Sequence, residues 1–525
     1  MKRITKKQIA KRNAKRKRKV QRRIKKQQRK VQRRLEHRIP DDVSQPMFKA
    51  SNIKYELADK TQAMTYGGIG LMHKLARNIG LIDAINNNLH LLKLHLPYHE
   101  SDHVLNLAYN ALCGGHCLED IELRRNDPVF LDALGTERIP DPTTAGDFCR
   151  RFKSKYQIDR LQNAFDEARI KVWQQQPESF FDCATIDMDG HLVETTGECK
   201  VGMDIAYDGT WGYHPLLVSL ANTGEVLRVL NRSGNRPSHE GAAAECDSAM
   251  QTCRAAGFRS FLIRGDTDFS QTKYLDAWNA EGNVTFHFGY AAMPNLIDVA
   301  NTLPEQGWKR LKRHPRYEVK TKTRSKPENI KEQIVVAREF DNIKLNSEDV
   351  AEFMYQPTAC SQEYRMIVLR KNLSKMKGEK LLFDDIRYFF YITNDEESSA
   401  EEVIFSANNR CNQENLIAQL KGGTRSFKAP LDNLYSNWAY MVMTSLAWNL
   451  KAWLALSLSA KPGRWQQKHQ AEKSTLLKME FRTFVNRMML LPCQVVKSSR
   501  RLIYRLLNYS PHLKTFFRLV HELEC

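Results

Sequence analysis

The chain predicts an α/β core interrupted by a β-rich insertion and set between helical N- and C-terminal regions. Three observations lead there. Over residues 176–290 short apolar runs alternate with polar residues at strand spacing and are parted by turn residues and two helical stretches. Residues 291–399 hold further β-rich runs separated by Lys- and Gly-containing turns. Residues 46–175 and 431–525 carry their apolar residues at helical spacing instead.

The core elements follow in chain order. Ala184, Ile186 and Met188 alternate with Thr185, Asp187 and Asp189, which makes a strand with one apolar face. Pro215 to Ala221 is a second strand, Asn222-Thr223-Gly224 a turn, and Glu225 to Leu230 a third strand, together an antiparallel meander. Ser238 is placed to cap a helix that runs to about Ala256, with Glu240 in its first turn and Gly257 as its stop. Phe261-Leu262-Ile263 is a short buried strand that ends at Arg264-Gly265-Asp266. Ser270 opens another helix, stopped by Gly282, and Val284 to Phe288 is the fifth strand. The order β-β-β-α-β-α-β is that of a ribonuclease H-like core, which needs one more helix to close.

That helix is predicted from about Ala400 to Lys421, inside a closing segment of residues 400–430 ended by Gly422-Gly423. The insertion before it contains strand-like runs at Tyr317 to Lys322, Glu332 to Phe340, Tyr364 to Arg370 and Ile386 to Thr393.

The flanks differ in charge. The formal charge is +21, and residues 1–38 contain 20 Lys or Arg and one acid, Glu36, which leaves about +2 on the other 487 residues. A segment of this composition has little apolar surface to bury, so residues 1–45 are predicted to be a basic arm, disordered when free, whose partner is a polyanion. In residues 46–175, Val104 to Leu112 and Leu118 to Arg125 are helical, Pro140-Asp141-Pro142 is a break, and Thr143 to Phe148 starts a further helix. A helix-turn-helix-like DNA-binding bundle is one reading and a plain helical bundle the other. Asn433 to Leu450 is 18 residues without a charge, but three Asn, two Ser and a Thr within it predict a buried core helix rather than a membrane span. Cys113 and Cys117 flank His116 with no second cysteine pair at zinc-finger spacing. With no secretory signal, the expectation is reduced thiols in a cytoplasmic, nucleoid-associated protein.

Cleaving and joining phosphodiesters needs a strong oxygen nucleophile and a way to absorb charge on the phosphate. Two divalent cations held by carboxylates supply both. Asp187 and Asp189 lie two apart and share one face of the first strand. Asp266 stands just beyond the central strand, and Glu414 lies in the closing helix. On a continuous helix Arg410 and Lys421 fall within about 40° of Glu414, so the three make one charged stripe, with Leu416 and Leu420 elsewhere. An acid at a strand end is usually a turn residue, and a Glu between Arg and Lys is usually a solvated pair. Their joint occurrence in this order carries the reading.

At these residues the sequence resembles the DDE transposases of bacterial insertion sequences, in the branch with a Tyr-Arg-Glu-Lys signature and a β-rich insertion before the Glu. Arg410, Glu414 and Lys421 match the signature spacing, while Ala407 stands at the Tyr position. Ile186 to Gly190, Tyr213 to Leu217, Arg264 to Phe269 and Leu118 to Phe152 resemble the same branch, so the resemblance spans roughly residues 100–450. It implies catalytic, metal-binding Asp189, Asp266 and Glu414, with Asp187 the alternative first Asp and Asp268 a competitor of Asp266. It implies phosphate contacts from Arg410 and Lys421, and two Mg²⁺ or Mn²⁺ ions. The implied activity is cut-and-paste transposition: cleavage at terminal inverted repeats, a hairpin intermediate in some members, and strand transfer into target DNA by a homodimer. Trp308 is a candidate to hold a flipped base, packing being the commoner role of such a residue. The alternatives are a metal-dependent DNA nuclease without strand transfer and an inactive DNA-binding protein; the latter predicts a missing acid, and none is missing.

Overall fold

The computed structural model describes residues 6–36, 53–55, 61–95, 97–313, 328–460, 463–498 and 501–524. The chain divides into two compact units. One comprises Pro177–Glu198 and Gly202–Ile417, the other Met1–Gln176, Cys199–Val201 and Ala418–Cys525.

The first of these is built on a large mixed sheet. β1 (Cys183–Gly190), β2 (Leu216–Leu220) and β3 (Glu225–Leu230) form the antiparallel meander, and Gly224 supplies the left-handed turn between β2 and β3. The helix α1 (Ala242–Ala256) follows, then β4 (Ser260–Gly265), a short helix α2 (Leu275–Ala280) and β5 (Val284–Tyr290). β4 lies parallel to β1, and β5 parallel to β4. Parallel central strands are covered on both faces, which is why Ile186, Ile263, Phe286 and Phe288 are all fully buried.

The helix boundaries differ locally from expectation. Ser238 is not the cap of α1; Gly241 is, while Gly257 ends the helix in a left-handed conformation as predicted. The helix expected from Ser270 is reduced to one 3₁₀ turn, Thr272–Tyr274, and α2, because the chain from Asp266 to Tyr274 is spent on tight turns.

The β-rich run does not stand apart from this sheet. β6 (Lys309–Arg310), β7 (Asp341–Tyr355), β8 (Tyr364–Lys377) and β9 (Lys380–Thr393) continue it, and β9 pairs with β5 from Phe390↔Tyr290 to Thr393↔His287. The sheet order is therefore β6-β7-β8-β9-β5-β4-β1-β2-β3. The run predicted as a strand at Glu332 to Phe340 is instead a helix, Ile330–Ala337, whose first turn is capped by Asn329 Oδ1 accepting from the Glu332 N–H at 3.2 Å. Tyr317 to Lys322 lies outside the described residues.

The predicted closing helix is two helices, α3 (Ala400–Asn409) and α4 (Cys411–Gly422), with a tight turn at Arg410 where the Gln413 N–H donates back to the Arg410 carbonyl. Ser399 and Glu402 form a capping box at the start of α3. Val403, Ile404 and Ala407 of α3 pack on Val350, Ile367, Leu369 and Tyr391 of the added strands. Ala407, which stands at the Tyr position of the signature, is part of this contact.

The second unit is mainly helical. Leu434–Leu456 is buried along almost its whole length and is packed by Glu100–Leu112, Pro142–Cys149, Lys155–Trp173 and Gln466–Leu477. The uncharged stretch is thus a core helix, and among the described residues no helix is long and apolar enough to cross a membrane. The helix after the Pro-rich break is capped by Asp141, which accepts from the Thr144 N–H at 2.8 Å, with Pro142 in the first turn. The C-terminal region is not wholly helical: Cys493–Ser498 and Arg501–Leu506 form an antiparallel pair joined by Ala63–Met64. Lys6–Leu35, expected to be disordered, is one helix. Lys, Arg and Gln are good helix formers, no Gly or Pro interrupts the run, and Ile24 is buried at 4% exposure.

Candidate active site

β1 brings both candidate first acids to the sheet centre and then separates them. Asp187 pairs in register with Arg264 of the neighbouring parallel strand β4. Its Oδ1 accepts from Arg264 Nε at 2.7 Å and its Oδ2 from Nη2 at 2.9 Å. Asp187 is 1% exposed. Burial pushes its carboxyl up, opposed by the two Arg264 hydrogen bonds and the Arg410 charge. Both carboxylate oxygens are engaged, so Asp187 acts as an anchor between strands.

Asp189, one pleat further, is half-buried at the end of β1. Burial pushes its carboxyl up to about 6, and the charges of Asp266 and Glu414 add to this, while Arg410 and the Gly190 N–H oppose it. Asp266 follows the last residue of β4 and is held by its own turn, its Oδ1 accepting from the Asp268 N–H at 3.0 Å. Burial raises its carboxyl as well, against the pull of Arg410. Asp268 is exposed and contributes its backbone to this turn.

Glu414 is exposed on the first turn of α4. Its neighbour Gln413 is 2% exposed and donates through Nε2 to the Leu217 carbonyl at 2.9 Å, and Leu217 is the register partner of Asp189. One side-chain bond thereby seats the start of α4 beside the end of β1. Leu416, Ile417 and Leu420 of the same helix are buried. The end of α3 is fixed too: Arg264 Nη1 donates to the Ser406 carbonyl at 3.1 Å, and Ser406 Oγ meets His287 Nδ1 at 2.9 Å. Burial lowers the pKa of His287, opposed by Asp395, whose Oδ2 lies 3.2 Å from His287 Nε2.

Arg410 lies at the α3–α4 turn with Nη2 3.8 Å from Asp266 Oδ2. The turn means that Arg410 and Glu414 do not share one regular helical stripe, although both charges reach the carboxylate centre. Lys421 is exposed in the last turn of α4. Among the described residues no three His, Cys, Asp or Glu side chains are gathered closely enough to enclose a metal ion.

His214 was not singled out in the sequence beyond its motif. Its Nδ1–H donates to the Arg236 carbonyl at 2.9 Å, and its Nε2 lies where a Cβ on Gly190 would come within 2.7 Å. Only a residue without a side chain fits between Asp189 and this ring. Trp308 has one face covered by the Arg370 guanidinium, 4.1 Å from the ring centroid, which is a packing role.

The fold defines an α/β protein with a large mixed sheet, at whose β1 end the Asp189 carboxyl is raised in part by Asp266 and Glu414. Over residues 49–525 the chain matches the model of the family described as transposase DDE domain group 1 and belongs to that family. It is a DNA transposase, an enzyme acting on DNA. The solved structure of a piggyBac transposase synaptic complex with hairpin DNA is similar at 10% identity and a TM-score of 0.34, over 81% of this chain and 84% of that chain. No curated protein sequence matches the chain.

Proposed function

We propose that the protein catalyses cut-and-paste DNA transposition, cleaving strands at the terminal inverted repeats of its element and transferring them into target DNA. The observation that carries this reading is geometric: Asp266 follows β4, which pairs with β1, and the Gln413–Leu217 bond seats the start of Glu414's helix beside Asp189, whose carboxyl both acids help to raise. The strand order and directions of β1 to β5 support a ribonuclease H-like core, with residues 291–399 as the insertion.

The donor set is all carboxylate oxygen, which suits Mg²⁺ or Mn²⁺. Among the described residues Asp189, Asp266 and Glu414 are not gathered closely enough to enclose such an ion. The chain's own residues fix the geometry. Asp187 and Arg264 lock β1 to β4, Gln413 fixes the start of α4, and Arg410 and Lys421 offer cationic groups to phosphates. Positioning of this kind dominates phosphoryl transfer.

The same reading makes the helical region 46–175 and the basic segment 1–45 DNA-binding surfaces. It makes the active species a homodimer that pairs two ends, in the cytoplasm with the nucleoid, and the element a bacterial insertion sequence. The test incubates the full chain with Mg²⁺ or Mn²⁺ and DNA carrying the inverted repeats that flank its own gene. Cleaved ends and joined products are expected. Absence of cleavage, or undiminished cleavage by Asp266→Asn, overturns the reading; cleavage without joining leaves a nuclease.

A further inference from the structure

We propose that the hairpin Asp204–Tyr213 is a stacking platform for DNA, on which Trp211 and Tyr207 take the faces of unpaired bases beside the Asp189 end of β1. The place of those bases rests on the active site proposed above. Three observations carry the proposal. The first is position. Asp189 and Asp266 stand at the carboxyl ends of the parallel neighbours β1 and β4, the edge at which open α/β sheets take their ligands. The chain leaves β1 across that same edge. The His191 N–H donates to the Pro215 carbonyl at 3.0 Å, Val193–Glu194 pairs with Trp211–Tyr213, and these pair with Asp204–Ile205. The second is the face presented. The register partners Val193 and Tyr213 are buried, but two residues further out on the same face Ile205 and Trp211 are 43% and 52% exposed. Tyr207, at the turn, is 96% exposed. The third is stiffness. Ser233 Oγ donates to the Gly202 carbonyl at 2.6 Å and the Gly234 N–H to the Gly212 carbonyl at 3.0 Å. The turn is closed by Gly209 at φ 85° and by Asp208 Oδ1, which accepts from the Thr210 N–H at 3.0 Å. Rings held in this way lose little freedom when a ligand stacks on them.

Size and charge choose the occupant. Two aromatic side chains bury about 150–250 Å² each, short of the about 800 Å² per partner of a stable protein interface. Each ring does match one base, whatever its sequence. The hairpin carries Asp204 and Asp208 and no Lys or Arg, so it repels phosphates and leaves base faces as the contact. Paired bases inside a duplex hide those faces, and strands parted next to the cleavage site offer them.

The experiment measures binding of the full chain, by fluorescence anisotropy, to two duplexes of the element's terminus, one fully paired and one with its last base pairs mismatched. Wild type is expected to prefer the mismatched duplex. Trp211→Ala and Tyr207→Ala should each weaken that complex by about tenfold, with little effect on the paired duplex and with the salt slope unchanged. Trp211→Phe, which keeps a ring, should retain most of the preference, an outcome that a folding defect would not give. 5-Iodouracil at the mismatched end should photocrosslink to Trp211. Alanine variants that bind both duplexes as wild type does, or lose both equally, overturn the proposal. A lowered salt slope overturns it in favour of a backbone contact, and a changed sedimentation coefficient of Trp211→Ala without DNA in favour of contact between copies. Asp266→Asn separates the two levels. If it cleaves as wild type does, the active site is misassigned, whatever the stacking result; if it loses cleavage while the alanine variants bind as wild type, only the platform fails.

Discussion

The Arg264 guanidinium closes on both carboxylate oxygens of Asp187 across two parallel strands, at 2.7 and 2.9 Å. This pair sets Asp187 apart from Asp189, the first acid that the resemblance favours. Both Asp187 oxygens accept from Arg264, whereas the Asp189 carboxyl is raised in part by the charges of Asp266 and Glu414.

Substitution should therefore separate them. Asp187→Asn removes one partner of a buried ion pair and leaves the Arg264 charge uncompensated, which costs about 3–5 kcal/mol. Its melting temperature should fall by many degrees. Asp189→Asn should abolish DNA cleavage with the melting temperature at neutral pH unchanged or higher. Thermal denaturation beside an end-cleavage assay checks both; a stable but inactive Asp187→Asn would reverse the assignment.

Asp189 also gives stability a pH dependence. Its carboxyl is raised to about 6, burial being the first cause and the Asp266 charge the second. The folded state then holds this proton more tightly than the unfolded state. The ionisation penalty is fully present above about pH 6 and disappears as pH falls towards the unfolded value. Asp189→Asn should thus be more stable than wild type at pH 7.5, and the gap should narrow on lowering the pH to 5. Paired urea titrations at the two pH values measure it, and a gap that widens towards acid counts against the site.

Much of the core was legible because its signals are local. The alternation from Ala184 to Asp189 and the turn at Asn222-Thr223-Gly224 specify β1, β2 and β3 within a few residues each. The break at Arg410 was not, since no Gly or Pro marks it. It accompanies bonds to Ser406 and Gln413 that join α3 and α4 to strands far away in sequence. The helix at Ile330–Ala337 hid behind the β-branched Ile334, Val335 and Val336, which read as a strand, while the deciding cap at Asn329 is one polar residue. The Asp187–Arg264 pair needs the β1–β4 register, which only the assembled sheet supplies.

Gly190 offers a test of packing beside the site. An added Cβ would come 2.7 Å from His214 Nε2, and the ring cannot simply turn away, because it is 8% exposed and tied through Nδ1 to the Arg236 carbonyl. Gly190→Ala should displace the ring or the end of β1, at about 1–3 kcal/mol. Cleavage should fall more than stability, since Asp189 moves with the strand. The double variant Gly190→Ala, His214→Ala should recover stability, and if it recovers none, the clash is not the cause.

The N-terminal helix gives the last prediction. Lys6–Leu35 exposes its described Lys and Arg side chains, and Ile24 is its most buried residue, in a cavity shared with Leu513 and Phe517. Each phosphate neutralised on duplex DNA adds about 0.9 to the salt slope of binding. Deleting residues 1–36 should lower that slope by several units and weaken binding most at low salt. Ile24→Asp removes almost none of the positive charge but places a carboxylate in an apolar contact, which should free the helix from its seat. If the seated helix presents its charges as a surface, Ile24→Asp will weaken DNA binding well beyond the loss expected from one added negative charge. If a loose basic tail suffices, Ile24→Asp will bind as wild type does, and only the deletion will show a defect.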